Sequence, residues 1–168
     1  MIIPVFGKME KAPNNTTVGL SRGASIAVKA AAASDAISGK PGESLSVWTK
    51  GCTVIFVGVG DKEKLTHKGA RDTGAKCLAK LSKDNGTEIV VRFTTGWKTA
   101  NMAAFAEGMI LRDYAFDKYQ KNDEDEQDKG EWSLECQAHD RHLEALDAAV
   151  AKSGSIATGV HLARDLAN

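Results

Sequence analysis

The chain has few cysteines: Cys52, Cys77 and Cys136 are the only three in 168 residues, and no C-x-x-C pair occurs. An odd, widely spaced set excludes a zinc knuckle and a redox dithiol and reads as reduced thiols in a cytosolic protein. Net charge is also missing, with 22 Lys and Arg against 22 Asp and Glu, so no global field draws the chain to nucleic acid or an anionic membrane. No run approaches the roughly 20 apolar residues of a membrane span. The opening "MIIPVFGKM" has neither a basic leader nor an apolar run long enough for a signal peptide. No G-x-S-x-G, H-E-x-x-H or G-x-x-x-x-G-K-[ST] is found, which removes the nucleophile elbow, the zincin helix and the P-loop. The expectation is a cytoplasmic protein without membrane contact, in which the sequons at Asn14 and Asn15 carry no meaning.

What is present fits one α/β domain. A chain of this length buries roughly 70% of its unfolded surface, and 42% hydrophobic with 26% charged residues is ordinary for a globular protein. Residues 2–6 read as a strand and 11–23 as loop. Residues 24–37 read as an alanine-rich helix with Ile26, Ala30, Ala33 and Ile37 on one face. Residues 38–43, "SGKPGE", force a turn. Residues 44–49 alternate, with Leu45, Val47 and Thr49 facing one way, as a half-buried strand does. Residues 53–59 are almost wholly apolar and read as the centre of a sheet covered on both faces.

Thr66 is placed to cap a helix running to residue 82, with Ala70, Gly74, Cys77, Leu78 and Leu81 as its buried stripe. The small residues at 70 and 74 would let that helix approach the sheet. Asp84-Asn85-Gly86 is a turn and 87–93 a strand. Thr99 is placed to cap a helix through about residue 114, with Met102, Phe105, Ala106, Met109 and Ile110 on its apolar face. Residues 117–131 hold seven acids against three lysines and read as a solvated loop. Residues 132–137 form a short strand. From His139 onward the pattern is helical, with Leu143, Leu146, Val150, Ala157 and Val160 in one stripe. Gly154 and Gly159 leave open one long helix or two short ones. The order is β-α-β-β-α-β-α-β-α, a mixed sheet between helices in three layers.

Candidate chemistry is thin. Gly58-x-Gly60 follows a strand as in a dinucleotide fingerprint, but Glu63 stands where the third glycine belongs and would repel a pyrophosphate. His139 and His142 lie three apart but lack further ligands for zinc. His67 and His161 stand alone. Glu107 interrupts an apolar helix yet lies off its stripe, which points to an exposed or interface position. Trp48, Trp97 and Trp132 could stack on a base, though closing the edges of the core is their more usual use. Residues 1–83 carry a balance of +7 and residues 84–168 one of −7, an asymmetry that interleaving in the fold would cancel. No catalytic, cofactor-binding or metal-binding residue is assigned.

Five stretches in order resemble the amino-terminal domain of the M17 leucyl aminopeptidase (cytosol aminopeptidase) family. They are "IIPVF" (residues 2–6), "SGKPGESLSV" (38–47), "VIFVGVGDKEKLT" (54–66), "FAEGMILRDYAFDKYQ" (105–120) and "GVHLARDLAN" (159–168). The third is similar to the family's strand, glycine pair and helix cap, in which Glu63 is ordinary. The resemblance implies a macro-domain-like fold for residues 1–168 as one non-catalytic domain. It also implies peptide-bond hydrolysis by two metal ions, zinc or manganese, in a separate carboxy-terminal domain. The family's "NTDAEGR" metal motif does not occur in these residues. The implied partners are that catalytic domain and the other subunits of a homohexamer. Two departures stand out: the chain starts later than many members, and residues 123–128 are unusually acidic. The competing readings are a macro-type module binding ADP-ribose and a nucleic-acid-binding accessory domain. A domain taken from its partner would also expose apolar surface.

Overall fold

A computed structural model describes residues 1–7, 19–34, 36–81, 88–112 and 132–167. Most of the loop expected at 11–23, the turn at 84–86 and the acidic loop at 117–131 lie outside the described residues, as does the tyrosine-aspartate part of the 105–120 motif. The elements are β1 (Ile2–Phe6), α1 (Arg22–Ala33), β2 (Ser44–Thr49), β3 (Cys52–Gly60), α2 (His67–Lys80), β4 (Glu88–Arg92), α3 (Thr99–Arg112), β5 (Ser133–Gln137), a 3-10 turn (Asp140–His142) and α4 (Leu143–Ala167). Order and type agree with the sequence reading.

The sheet runs β2-β3-β1-β4-β5. β1, β3, β4 and β5 are parallel neighbours, and β2 is antiparallel to β3 through a tight hairpin. β1, not β3, is therefore the middle strand. The apolar run of β3 reflects burial between β2 and β1, with helices on both faces. The chain moves from β1 one way to β3, then crosses back over β1 to β4 and on to β5. Right-handed crossovers in opposite directions place their helices on opposite faces. The two core clusters agree. Val28 and Ala32 of α1 pack with Ile3, Val5, Val54 and Phe56 on one face. On the other face Ala70, Cys77, Met102, Phe105 and Leu146 from α2, α3 and α4 pack with Ile2, Val57, Val59 and Val91.

Two helical faces differ from expectation. α1 starts at Arg22, capped by Ser21, and buries Ala24, Val28 and Ala32. Ile26 is 61% exposed, so the expected stripe points outward. Ile37 is buried, but beyond the helix end. In α2 the Thr66 hydroxyl accepts from the Gly69 N–H at 3.1 Å, the cap expected there. Ala70, Gly74 and Cys77 are buried, yet the close approach is to α3 and not to the sheet. A Cβ on Gly74 would overlap the Phe105 carbonyl, and one on Gly108 the Arg71 carbonyl. α3 is thus enclosed on nearly all sides, burying Asn101, Ala103, Ala104 and Gly108 besides the expected Met102, Phe105, Ala106 and Met109.

α4 continues through both glycines as one helix. Leu146 and Ala157 are buried, Val150 and Val160 half-buried, and Leu143 is exposed. Nothing in the fold requires glycine at 154, where an added Cβ would meet open space. Gly154→Ala should raise stability by about 0.5–1 kcal/mol, read as a higher urea midpoint at an unchanged slope.

Candidate functional site

The carboxyl ends of parallel strands are where an α/β sheet opens clefts. Here an open cleft of about 490 Å³ is lined by Phe6 and Gly7 after β1, Ser38 to Pro41, and Gly60 to Lys62 after β3. Its walls are backbone locked to backbone. Gly7 N–H donates to the Gly60 carbonyl (3.2 Å), Gly60 N–H to Gly39 (2.8 Å) and Gly58 N–H to Glu43 (2.9 Å). A Cβ on Gly58 would overlap the Lys40 carbonyl and Gly39. The two glycines of the strand end therefore admit the 38–43 turn against β3. They do more than turn the chain.

That turn holds its own anion. The Glu43 carboxylate accepts from the Ser38 N–H (2.8 Å), the Lys40 N–H (3.2 Å) and the Ser38 hydroxyl (2.8 and 2.9 Å). The Ser38 hydroxyl first, then the backbone donors, pull the carboxyl below its ordinary 4.5, while burial works the other way. A carboxylate so stabilised is a poorer base, and its hydrogen bonds to Ser38 and Lys40 clasp the turn. The N–H groups that could cradle a phosphate face Glu43 instead. At the rim, Lys40 and Lys62 stand beside Asp61, which accepts from the Glu63 N–H at 2.9 Å.

The clasp gives a pH signature. A carboxyl with a lowered native pKa stabilises the fold above the unfolded value, and this is lost as pH falls through the native one. Glu43→Gln should therefore unfold at lower urea than the parent at pH 7. The two midpoints should converge below pH 4.5, followed by circular dichroism.

The remaining candidates are scattered over the fold. His142 does not pair with His139. Its Nδ1 lies 2.9 Å from the Thr99 hydroxyl, and Arg141 Nε donates to its Nε2 at 3.0 Å. Nε2 is thereby an acceptor, so Nδ1 carries the hydrogen and donates to Thr99. Thr99 is the first residue of α3 and not its cap; its hydroxyl ties α3 to the turn before α4. His67 is exposed at the start of α2 and His161 half-buried on α4. Glu107 sits at the α2–α3 interface, where Arg71 Nη1 donates to it at 3.3 Å. Trp97 is 3% exposed and packs on Phe6, Phe93 and Phe105 at ring distances of 5.0–5.9 Å. Its indole N–H has no partner among the described residues. Trp132 packs half-buried against the same core. Trp48 is 72% exposed on the edge strand β2 and closes no core. Burial pushes the Cys77 and Cys136 thiols up to about 12, so neither offers a thiolate at neutral pH. No group of three His, Cys, Asp or Glu among the described residues is placed to hold a metal ion.

A sequence profile of the cytosol aminopeptidase family, N-terminal domain, matches residues 2–123. The chain belongs to that family. A probable cytosol aminopeptidase of Aquifex aeolicus is 36% identical over 112 residues, covering 64% of this chain and 23% of its own. One from Rhodopseudomonas palustris is 28% identical over 148 residues, covering 84% and 29%. Among solved structures, a mutant of tomato leucine aminopeptidase superposes with a TM-score of 0.66 at 17% identity, covering 99% of this chain and 34% of that one. The bottromycin maturation enzyme BotP gives 0.62 at 19%, covering 99% and 32%. This chain spans about a quarter of the length of the curated relatives it matches. Among the described residues no helix is long and apolar enough to cross a membrane.

Within this family domain, the sequence reading found the strand, glycine pair and Thr66 cap of residues 54–66. It missed the Glu43 clasp, whose one signal is an acid closing the Lys-Pro-Gly turn. It also missed the Arg71–Glu107 and Thr99–His142 pairs, which join residues 36 and 43 positions apart.

Proposed function

We propose that residues 1–168 are a non-catalytic amino-terminal domain of a metal-dependent leucyl aminopeptidase. It is a macro-like cytoplasmic scaffold that packs against the catalytic domain and takes part in building a homohexamer. The observation that carries this reading is the match of residues 2–123 to the family's N-terminal domain, within a chain that covers about a quarter of the relatives' length. The side chains support it, because the polar groups nearest the strand-end cleft are engaged in holding a turn.

The reading that the two zinc or manganese ions lie in another domain is supported by the described residues, among which no three His, Cys, Asp or Glu are gathered to hold a metal ion. His142 is held between Thr99 and Arg141, and Cys77 and Cys136 are held as neutral thiols. The metals, and hydrolysis at a free amino terminus, belong in this reading to the catalytic domain. Incubating the chain with zinc or manganese and a leucine anilide should give no release above a metal-only control. Turnover by the purified chain would overturn the reading.

A further inference from the structure

β2 is the outermost strand of the sheet, beside β3. Gly58 N–H donates to the Glu43 carbonyl at 2.9 Å, in the register that pairs Ser44 with Val57 and Thr49 with Cys52. In an antiparallel pair, residues bonded to the neighbour alternate with residues whose N–H and C=O point away. Glu43, Leu45, Val47 and Thr49 therefore bond to β3, and Ser44, Ser46 and Trp48 turn their backbone groups outward. The same three have exposed side chains, Trp48 at 72%, while Leu45 and Val47 pack with the α1 cluster. No described strand lies beyond this edge. Natural sheets protect such an edge with a lysine, a proline or a bulge. The stretch "SLSVWT" has none of these, whereas β5 at the other edge carries the exposed Glu135.

We propose that the free edge of β2 pairs antiparallel with β2 of a second copy of this chain, about a twofold axis at Ser46, joining the two sheets into one. A twofold contact uses the same patch on both copies and must be complementary to itself. Centred on Ser46, the pairing sets Ser46 opposite Ser46 and Trp48 opposite Ser44, so all three outward-facing residues of each copy are bonded and none is left over. The side chains match as well. The axis stands perpendicular to the sheet, so each Trp48 lies across the small side chains of Ser44 and Ser46 of the other copy, large against small. Lys80 donates to the Ser44 hydroxyl at 3.2 Å, which brings its ammonium group within reach of the incoming indole for a cation–π contact. Neutrality along the edge favours a copy over a foreign strand, because a charge near the axis would meet its own like. A strand of six residues is about 20 Å long. The contact is therefore on the order of 500 Å² per copy, below the roughly 800 Å² of a stable interface, and the dimer forms only as concentration rises. The pairing does not depend on the function proposed above.

Sedimentation velocity of the whole chain should show a monomer at about 5 µM and a growing dimer fraction towards about 300 µM. Ser46→Pro removes an outward N–H and leaves the ladder to β3 intact, a position at which an edge strand accepts proline. It should abolish the dimer and keep the melting temperature within about 3 °C of the parent. Ser46→Lys should do the same by charge, and serves as the readout if the proline variant fails to fold. Cross-linking reads the register. With a short thiol-specific cross-linker, Ser46→Cys should give a covalent dimer above the level of the parent. Ser44→Cys should not, because its symmetry mate lies about 14 Å away along the strand. A chain still monomeric at about 300 µM, a dimer that survives substitution of Ser46, or cross-linking through position 46 no greater than through position 44 would each overturn the proposal.

Discussion

Gly108→Ala should destabilise the domain by about 2–3 kcal/mol, although alanine is the better helix former by about 1 kcal/mol. The two effects oppose each other, and geometry decides the sign. A Cβ at 108 would overlap the Arg71 carbonyl of α2, and the reciprocal contact at Gly74 meets the Phe105 carbonyl of α3. Both obstacles are backbone of a packed helix, so relief requires sliding one helix against the other. The slide would pull Arg71 away from Glu107, now at 3.3 Å, and lift Phe105 from its edge-to-face contacts with Phe93 and Trp97. Phe105 is fully buried, so that movement opens voids in the larger core cluster. The double variant G74A/G108A should cost about 4 kcal/mol or more, with the two sites coupled because they share one crossing. Urea unfolding measures this. A Gly108→Ala variant as stable as the parent, or more so, would show that α2 and α3 do not cross at these glycines.

Gly58→Ala should cost about 2–3 kcal/mol, and it discriminates between two uses of the glycine pair. In a nucleotide loop, a methyl group at 58 would block a ligand and leave the unliganded fold stable. In this structure it would collide with the Lys40 carbonyl and Gly39 and push the 38–43 turn away from β3. The hydrogen bonds from Gly58 to Glu43 and from Gly60 to Gly39 would stretch together, and the Glu43 clasp would loosen with them. The pH dependence of stability assigned to Glu43 should therefore shrink in the same variant. A domain of this size shifts its melting temperature by about 2–4 °C per kcal/mol, so a loss of several degrees is the expected reading. An unchanged melting temperature would return the glycine pair to the list of ligand loops.

The order and type of the elements were legible along the chain because each is a local property. Alternation in residues 44–49, the apolar run of β3 and the Thr66 cap depend on neighbours a few positions away. The orientation of α1 was not legible. Its alanines give little contrast between sides, and Ile26 on one face balances Val28 on the other. Burial was settled by Ile3, Val5, Val54 and Phe56, which lie far off in sequence. Gly74 was readable as a point of close approach, but not its partner, since a small residue states that something comes near without stating what.

The candidate site followed the same division. Family membership and the weakness of the Gly58-x-Gly60 fingerprint came from local motifs. The Glu43 clasp, the Thr99–His142 pair and the Arg71–Glu107 pair needed the fold, because hydrogen bonds depend on positions to within a few tenths of an ångström. The sequence by itself determined which segments are helix and strand, where α2 starts, and which family the chain belongs to. Only the tertiary structure decided that β1 is the middle strand, that α2 and α3 meet glycine to backbone, that α4 runs unbroken, and which side of each helix faces the sheet. The physical reason is that backbone preference and hydrophobic period act over a few residues, whereas burial and close contact are set by segments that meet only when the chain is folded.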